Sequence, residues 1–236
     1  MTLFSGAASW SGLLLVATAT TLAVTLASLA IGAVLGALVA WAKLSANLVA
    51  RIAGDIYTTL FRGVPELLVI YLIYFGGSHA VTQIGQSLGI EGFLGLPSFL
   101  AGALAVGVIS GSYQAEVYRG AFLAVARGEI EAARAIGMPK LMRFRRIIVP
   151  QVLRFALPGL GNVWQLSLKD SALVSVTGLA ELMRTSQVAA GSTHQYFLFY
   201  VLGGSLYLIL TSLSDRAFGA GEARVNKSFG HGIGRA

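Results

Sequence analysis

The chain has 236 residues, of which 56% are hydrophobic and 11% charged, with 29 glycines, 5 prolines and no cysteine. A soluble domain carries about 25% charge, whereas here the mean hydropathy is +0.75. These values exclude a water-soluble globule, a disordered chain and a coiled coil, and the lack of cysteine excludes disulfides and thiolate chemistry. An all-α polytopic membrane helix bundle remains.

Long uncharged runs mark the spans. No residue from Met1 to Ala42 is charged, so the segment lacks the basic start of a cleaved leader and reads as a retained span. Its uncharged run from Gly12 to Ala42 would be about 46 Å long as a helix, beyond the ~30 Å hydrocarbon core. A second span is expected over about 56–75, with Arg62, Pro65 and Glu66 inside it. A third is expected from Gly92 to Ala115. A fourth runs from about Phe155 to Leu179 and contains Lys169 and Asp170. The fifth covers Gln195 to Ser214. The expected count is five transmembrane helices.

The net charge is +7, and its distribution sets the topology. All but Lys169 and Arg184 of the lysines and arginines fall in the link after the first span, the link after the third, and the C-terminal tail. By the positive-inside tendency, the N-terminus is outside and the C-terminus and central loop are inside. The charge is spread over three links, which excludes nucleic acid as a partner and allows contact with anionic membrane lipid. The tail, residues 219–236, is Gly-rich and basic and is expected to be disordered.

No phosphate-binding glycine loop, zinc-protease helix motif or nucleophile-elbow motif occurs. His79, His194 and His231 lie far apart, without ligand spacing, so no metal site is expected. Gly159 and Gly161 lack the third glycine and the strand of a dinucleotide fingerprint. The expectation is a non-catalytic chain, driven by an ion gradient or by another subunit.

The loop 123–151 is the most informative stretch. Acids open the segment from Gly128 to Ile136, Gly137 suits a helix end and Pro139 blocks continuation, which predicts a short helix. A second short helix is predicted over Leu141 to Val149, ended by Pro150. Ile136, Met138 and Leu141 offer apolar surface, and Ala132 and Ala133 allow close approach. Such a helix-turn-helix suits a groove on a partner. The plainer reading is an amphipathic loop packed on its own bundle.

Glu131-Ala132-Ala133, Gly137, Ile147 and Pro150 resemble the E-A-A-x-x-x-G-x(9)-I-x-L-P loop of ABC importer permeases, with Val149 in place of leucine. Arg62-Gly63-Val64-Pro65, Tyr113-Gln114-Ala115-Glu116 followed by Arg119-Gly120-Ala121, and Lys169-Asp170-Ser171-Ala172-Leu173-Val174-Ser175 are similar to segments of the polar amino acid permeases. The likeness runs to about Phe218 and is strongest to the Q-type membrane subunits of histidine/lysine/arginine/ornithine and opine systems. It implies a type I ABC importer permease fold over residues 1–218 and a place in a bacterial inner membrane. It implies a second homologous permease subunit, different or identical, two ATP-binding subunits and an extracytoplasmic solute-binding protein. The loop would couple to the ATPase. No cofactor is expected on this chain, with ATP and Mg on the partner. The alternatives are an ion-coupled secondary transporter using Glu116 or Asp170 as a proton relay, and a scaffold that only anchors an ATPase.

An ionisable group inside a span costs at least ~2.5–3.5 kcal/mol and tends to face a cavity or partner. Glu66 either pairs with Arg62 one turn earlier or forms an anionic site for a cationic side chain. Glu116 and Arg119 have i,i+3 spacing, which favours a structural ion pair over a pathway role. Lys169 and Asp170 point ~100° apart on a helix and each needs another partner, at a gate, an interface or a solute. Gln165, Ser167 and Tyr113 complete the candidate pathway residues. Gly32-x-x-x-Gly36 and Gly107-x-x-x-Gly111 permit close helix contact.

Overall fold

The computed structural model describes residues 2–229, with side chains from 10 to 226. His231 and the end of the expected tail lie outside the described residues. Within them the chain is helical without strands. Helix α1 is Thr2–Leu44, and Asn47 caps α2, Leu48–Gly63, by accepting from the Val49 N–H at 2.9 Å and the Ala50 N–H at 3.4 Å. Val64 is extended (φ −93°, ψ 137°), as a residue before proline prefers, and Pro65 brings no N–H. A new rod then starts: α3, Glu66–Tyr71, a π-helical turn Leu72–Gly76, and α4, Gly77–Ser87.

This break corrects the second expected span. The apolar helix is Glu66–Ser87, and 56–75 straddles the break. The third span is also displaced, to α5, Ser98–Leu123. Residues 92–97 are a loop with Gly92 at φ 105°, held by Leu94 N–H to Thr82 Oγ1 (3.1 Å) and Leu96 N–H to Ser78 Oγ (3.0 Å). Two short helices follow, α6 Arg127–Ala135 and α7 Lys140–Arg143. A π-helical turn, Phe144–Ile148, carries the chain straight into α8, Val149–Asp170. Pro150 therefore opens a long helix and does not end a short one; in the first turn its missing N–H leaves no gap. A 3₁₀ turn, Ser171–Thr177, leads to α9, Leu182–Thr193, and α10, Tyr196–Phe229. Helix α10 continues through 219, so the segment expected to be disordered is helical as far as Phe229.

Among the described residues, four helices can cross a membrane by length and composition: Trp10–Leu44, Glu66–Ser87, Ser98–Leu123 and Tyr196–Asn226. Helix α8, which carries Arg154, Lys169 and Asp170, is not among them. Contacts fix the chain directions. Ser110 Oγ donates to Ser28 O (3.4 Å) and Gln114 Nε2 to Leu29 O (3.3 Å), while Lys43 meets Glu116, so α1 and α5 run parallel. Val174 packs on Gly102 and Val117 on Gly159, so α8 with its 3₁₀ extension is antiparallel to α5. Ile70 packs near Ala105 and Val106 while Ser78 reaches Leu96, so α3–α4 is antiparallel to α5 as well. Phe199 sits with Leu14 and Trp10, which places the start of α10 beside the start of α1.

The two glycine pairs face each other across α1 and α5. A Cβ on Gly36 would stand 2.8 Å from Gln114 Cβ and 3.0 Å from backbone atoms of Gly111 and Ala115; one on Gly107 would stand 2.8 Å from Ile31 Cγ2. Glu181, fully buried, is explained by its partners: it accepts from the Met183 N–H (2.8 Å), the Arg184 N–H (2.7 Å), Tyr207 OH (3.0 Å) and Thr21 (3.4 Å). It caps α9 and ties that helix to α1 and α10.

Gly36→Ala adds one methyl where backbone cannot retreat. The expected loss is about 1–3 kcal/mol, the usual cost of overpacking, read as a lower thermal midpoint of the purified protein. Gly12→Ala, which meets nothing within 4 Å, leaves the midpoint unchanged or raises it.

Candidate functional site

Two regions gather the residues that composition alone cannot explain. The first is the loop between α5 and α8. Helix α6 ends at Ala135 with Ile136 as its cap, and Gly137 takes φ 74°, a left-handed conformation that favours glycine. The Gly137 N–H bonds Arg134 O (2.9 Å) and the Met138 N–H bonds Ala133 O (3.0 Å). This double closure is a Schellman cap, and it satisfies carbonyls that the helix end would leave open. Gln151 on α8 hydrogen-bonds Glu129 on α6, so the loop is pinned to the start of the long helix.

Of the predicted loop residues, Ala133 is buried against the loop's own fold, and Ile147 and Pro150 are half-buried beside it. They line a shallow groove with Ala132, Ile136 and Met138. Glu131, Ala132 and Gly137 are exposed. Ile136 is 77% exposed and Leu141 70%. The loop thus closes its backbone internally while presenting apolar side chains outward. Arginines and a lysine, among them Arg134, Lys140 and Arg145, surround those side chains.

The second region lies where α2 gives way to α3, beside the end of α8. An apolar cluster of Ile70, Ala105, Val106 and Val174 joins α3, α5 and the 3₁₀ turn. Glu66, the first residue of α3, stands one turn before Ile70 of this cluster, and Asp170, the last of α8, stands four residues before Val174. Arg62 does not pair with Glu66: its guanidinium lies over the Tyr113 ring, 5.3 Å from the centroid. Lys169 is exposed and closes no salt bridge with Asp170. Among the described residues, Arg62, Glu66, Lys169 and Asp170 close no salt bridge with one another.

Three other pathway candidates go elsewhere. Gln165 bonds Asp215 on α10. Ser167 is buried. Glu116 holds Arg119 (Nε to Oε2, 3.0 Å) and Lys43, far from Asp170 along its helix pair. Sequence reasoning missed Lys43 and Asp55, which join that network, and the stacking of Arg62 on Tyr113. Lys43 is the first charged side chain after a long uncharged run, and that position is the one signal for it in the sequence.

An all-helical bundle with four apolar helices long enough to cross a membrane, among the described residues, and a closed, apolar-tipped loop defines a membrane protein of the helical class. Residues 32–227 match the family of binding-protein-dependent transport system inner membrane components, and the chain belongs to it. It is 50% identical over 97% of its length to the octopine transport system permease protein OccQ of Rhizobium meliloti, covering 96% of that protein. It is 47% identical to the nopaline permease NocQ of Agrobacterium fabrum, covering 94% of each chain. With the histidine/lysine/arginine/ornithine permease HisQ of Salmonella typhimurium it shares 42% identity over 87% of this chain and 90% of that one. Among solved structures, an amino acid ABC transporter crystallised with histidines superposes with a TM-score of 0.79, 32% identity, and coverage of 95% and 100%. A methionine ABC transporter, MetNI, shares the fold at a TM-score of 0.72 and 20% identity. The chain is thus a permease subunit of an ABC importer, a non-catalytic component whose ATP hydrolysis takes place in separate subunits. That membership leaves the ion-coupled alternative without support.

The cap makes a local prediction. Gly137→Val forces a β-branched residue to positive φ and should lower ATP-dependent uptake at least ten-fold with membrane insertion unchanged. Gly137→Asn, which tolerates that conformation, should retain most of it. Equal uptake by the Val variant and the parent protein would contradict a need for this turn.

Proposed function

We propose that this chain forms half of the translocation pathway of an ATP-driven importer for opines or basic amino acids in a bacterial inner membrane. The observation that carries the reading is the loop 123–151: backbone closed by its own cap, apolar residues exposed among basic ones, pinned to α8. Glu131, Ala132, Ala133, Gly137, Ile147 and Pro150 form the seat for an ATP-binding subunit. Two such subunits, a second homologous permease (a different chain in the favoured arrangement) and an extracytoplasmic solute-binding protein complete the assembly. ATP and Mg belong to the ATP-binding subunits and supply the energy for reversal of access. The loop receives that displacement and passes it to α5 and α8, which change the side on which the cavity is open.

Five crossings fit this role, with α8 and its 3₁₀ extension as the fourth. The support is the alternation of direction: α1, α5 and α10 run one way, α3–α4 and α8 the other. An odd count separates the termini, and the basic ends of α1, α5 and α10 then share the cytoplasmic side, with the N-terminus outside. Residues 1–218 are the transmembrane domain, and residues 219–229 prolong α10 on the cytoplasmic side. Charged α8 is tolerated because its polar face lines the pathway.

Glu66 and Asp170 are assigned to the ammonium or guanidinium of the solute, and Lys169 to a carboxylate. Tyr113 carries Arg62 over its ring and completes the assigned set. The substrate class rests on this charge pattern together with the names of the relatives, an octopine, a nopaline and a basic amino acid permease.

Asp170→Asn should lower uptake of a cationic solute about ten-fold and that of a neutral amino acid much less, in vesicles carrying the assembled complex. Equal losses would assign Asp170 a structural role. Uptake that survives collapse of the ion gradient and stops on ATP depletion supports the mechanism as a whole; the reverse pattern would overturn it.

A further inference from the structure

A fully satisfied ammonium lies in neither region described above. Lys43, in the last turn of α1, has a side chain only 8% exposed. Its ammonium has three N–H donors and no acceptor. The structure supplies three acceptors: Asp55 Oδ1 at 2.8 Å, Thr58 Oγ1 at 2.9 Å, and Glu116 Oε1. Asp55 and Thr58 come from one face of α2, and Glu116 comes from α5. Arg119 holds the second oxygen of Glu116 at 3.0 Å. The lysine stem crosses Gly54, where a Cβ would stand 2.6 Å from Lys43 Cγ, so α2 can approach this closely only with glycine there. One ammonium thus joins three helices.

What each helix leads to gives the cluster its meaning. Helix α5 ends at Leu123, two turns or about 10 Å beyond Glu116, and the loop helix α6 begins at Arg127. Helix α2 ends at Gly63, beside Arg62, and the Val64–Pro65 break delivers Glu66. Lys43 therefore joins α5, which runs into the loop, to α2, which runs to Arg62 and the break before Glu66. Removing the ammonium would leave Asp55 and Glu116 as two carboxylates facing each other at a site where each had its partner.

We propose that Lys43 is a positioning residue for transport: it locks α2 to α5, so that displacement of the loop also moves the Arg62–Glu66 end of α2. The proposal rests on the importer reading and adds a coupling element to it. Lys43 touches no solute in this scheme.

The test uses the full complex, with its ATP-binding subunits, reconstituted in vesicles with solute-loaded binding protein. Solute taken up per ATP hydrolysed is measured for the parent protein, Lys43→Met and Asp55→Asn. The expected result is normal assembly, an unchanged basal ATPase rate and uptake per ATP lowered at least five-fold in Lys43→Met, with a smaller fall in Asp55→Asn. A lower yield or melting temperature with an unaltered ratio would mark the cluster as structural only and overturn the proposal. If Lys43→Met fails to assemble, Asp55→Asn decides alone: its side chain is 57% exposed and keeps its shape, and an unaltered ratio in that variant overturns the proposal. Failure of the importer reading itself would be seen separately, as a parent complex without ATP-dependent uptake.

Discussion

Close contact between two parallel helices, α1 and α5, underlies the rest of the bundle. Lipid offers no hydrophobic drive for helices to associate, so packing and a few polar bonds must do it. Glycines at 32, 36, 107 and 111 bring the two backbones together, and side chains such as Gln114 and Ser110 then reach carbonyls on α1. Helix α5 is the most buried rod in the structure for this reason. It offers its other faces to α3 and to α8, through small residues again: Gly102 under Val174, and Gly159 under Val117.

That central rod also sets where charge can go. Helices α1, α2, α3 and α8, all packed on α5, bring ionisable groups at two levels. Near the loop end, Lys43, Asp55, Glu116 and Arg119 neutralise one another. Further up, Arg62, Glu66, Lys169 and Asp170 stay unpaired around the α3–α8 junction. The contrast is physical: the first set has its donors and acceptors matched within the chain, while the second leaves both signs available to something else. In the proposed importer, the first level holds the rods together and the second is the one assigned to the solute.

Much of this was legible in the residues. The helical membrane class follows from hydropathy, and the loop turn follows from Gly137 with Pro139 behind it, which appears as a Schellman cap. The facing glycine pairs were visible as spacing, although their partnership was not, because spacing along one helix carries no information about its neighbour. Span edges were displaced where uncharged sequence and helix differ: Gly92 to Pro97 is apolar enough to read as span, yet a positive φ and side-chain caps make it a loop. Pro150 misled because a proline that ends one helix can equally begin another, and the π turn before it supplies the change of register. Lys43 was invisible as a hub, since its three acceptors are remote from it in sequence and meet only in the folded bundle.

The central claim is that the loop 123–151 lies on the cytoplasmic side against an ATP-binding subunit. Because the chain has no cysteine, a single Ile136→Cys substitution gives a clean probe. In the assembled complex, this thiol should cross-link to an ATP-binding subunit carrying a cysteine in its facing groove, with a yield that changes on adding ATP. It should resist a membrane-impermeant thiol reagent applied from outside. Labelling from outside, or the absence of any cross-link across a full set of groove positions, would contradict the account.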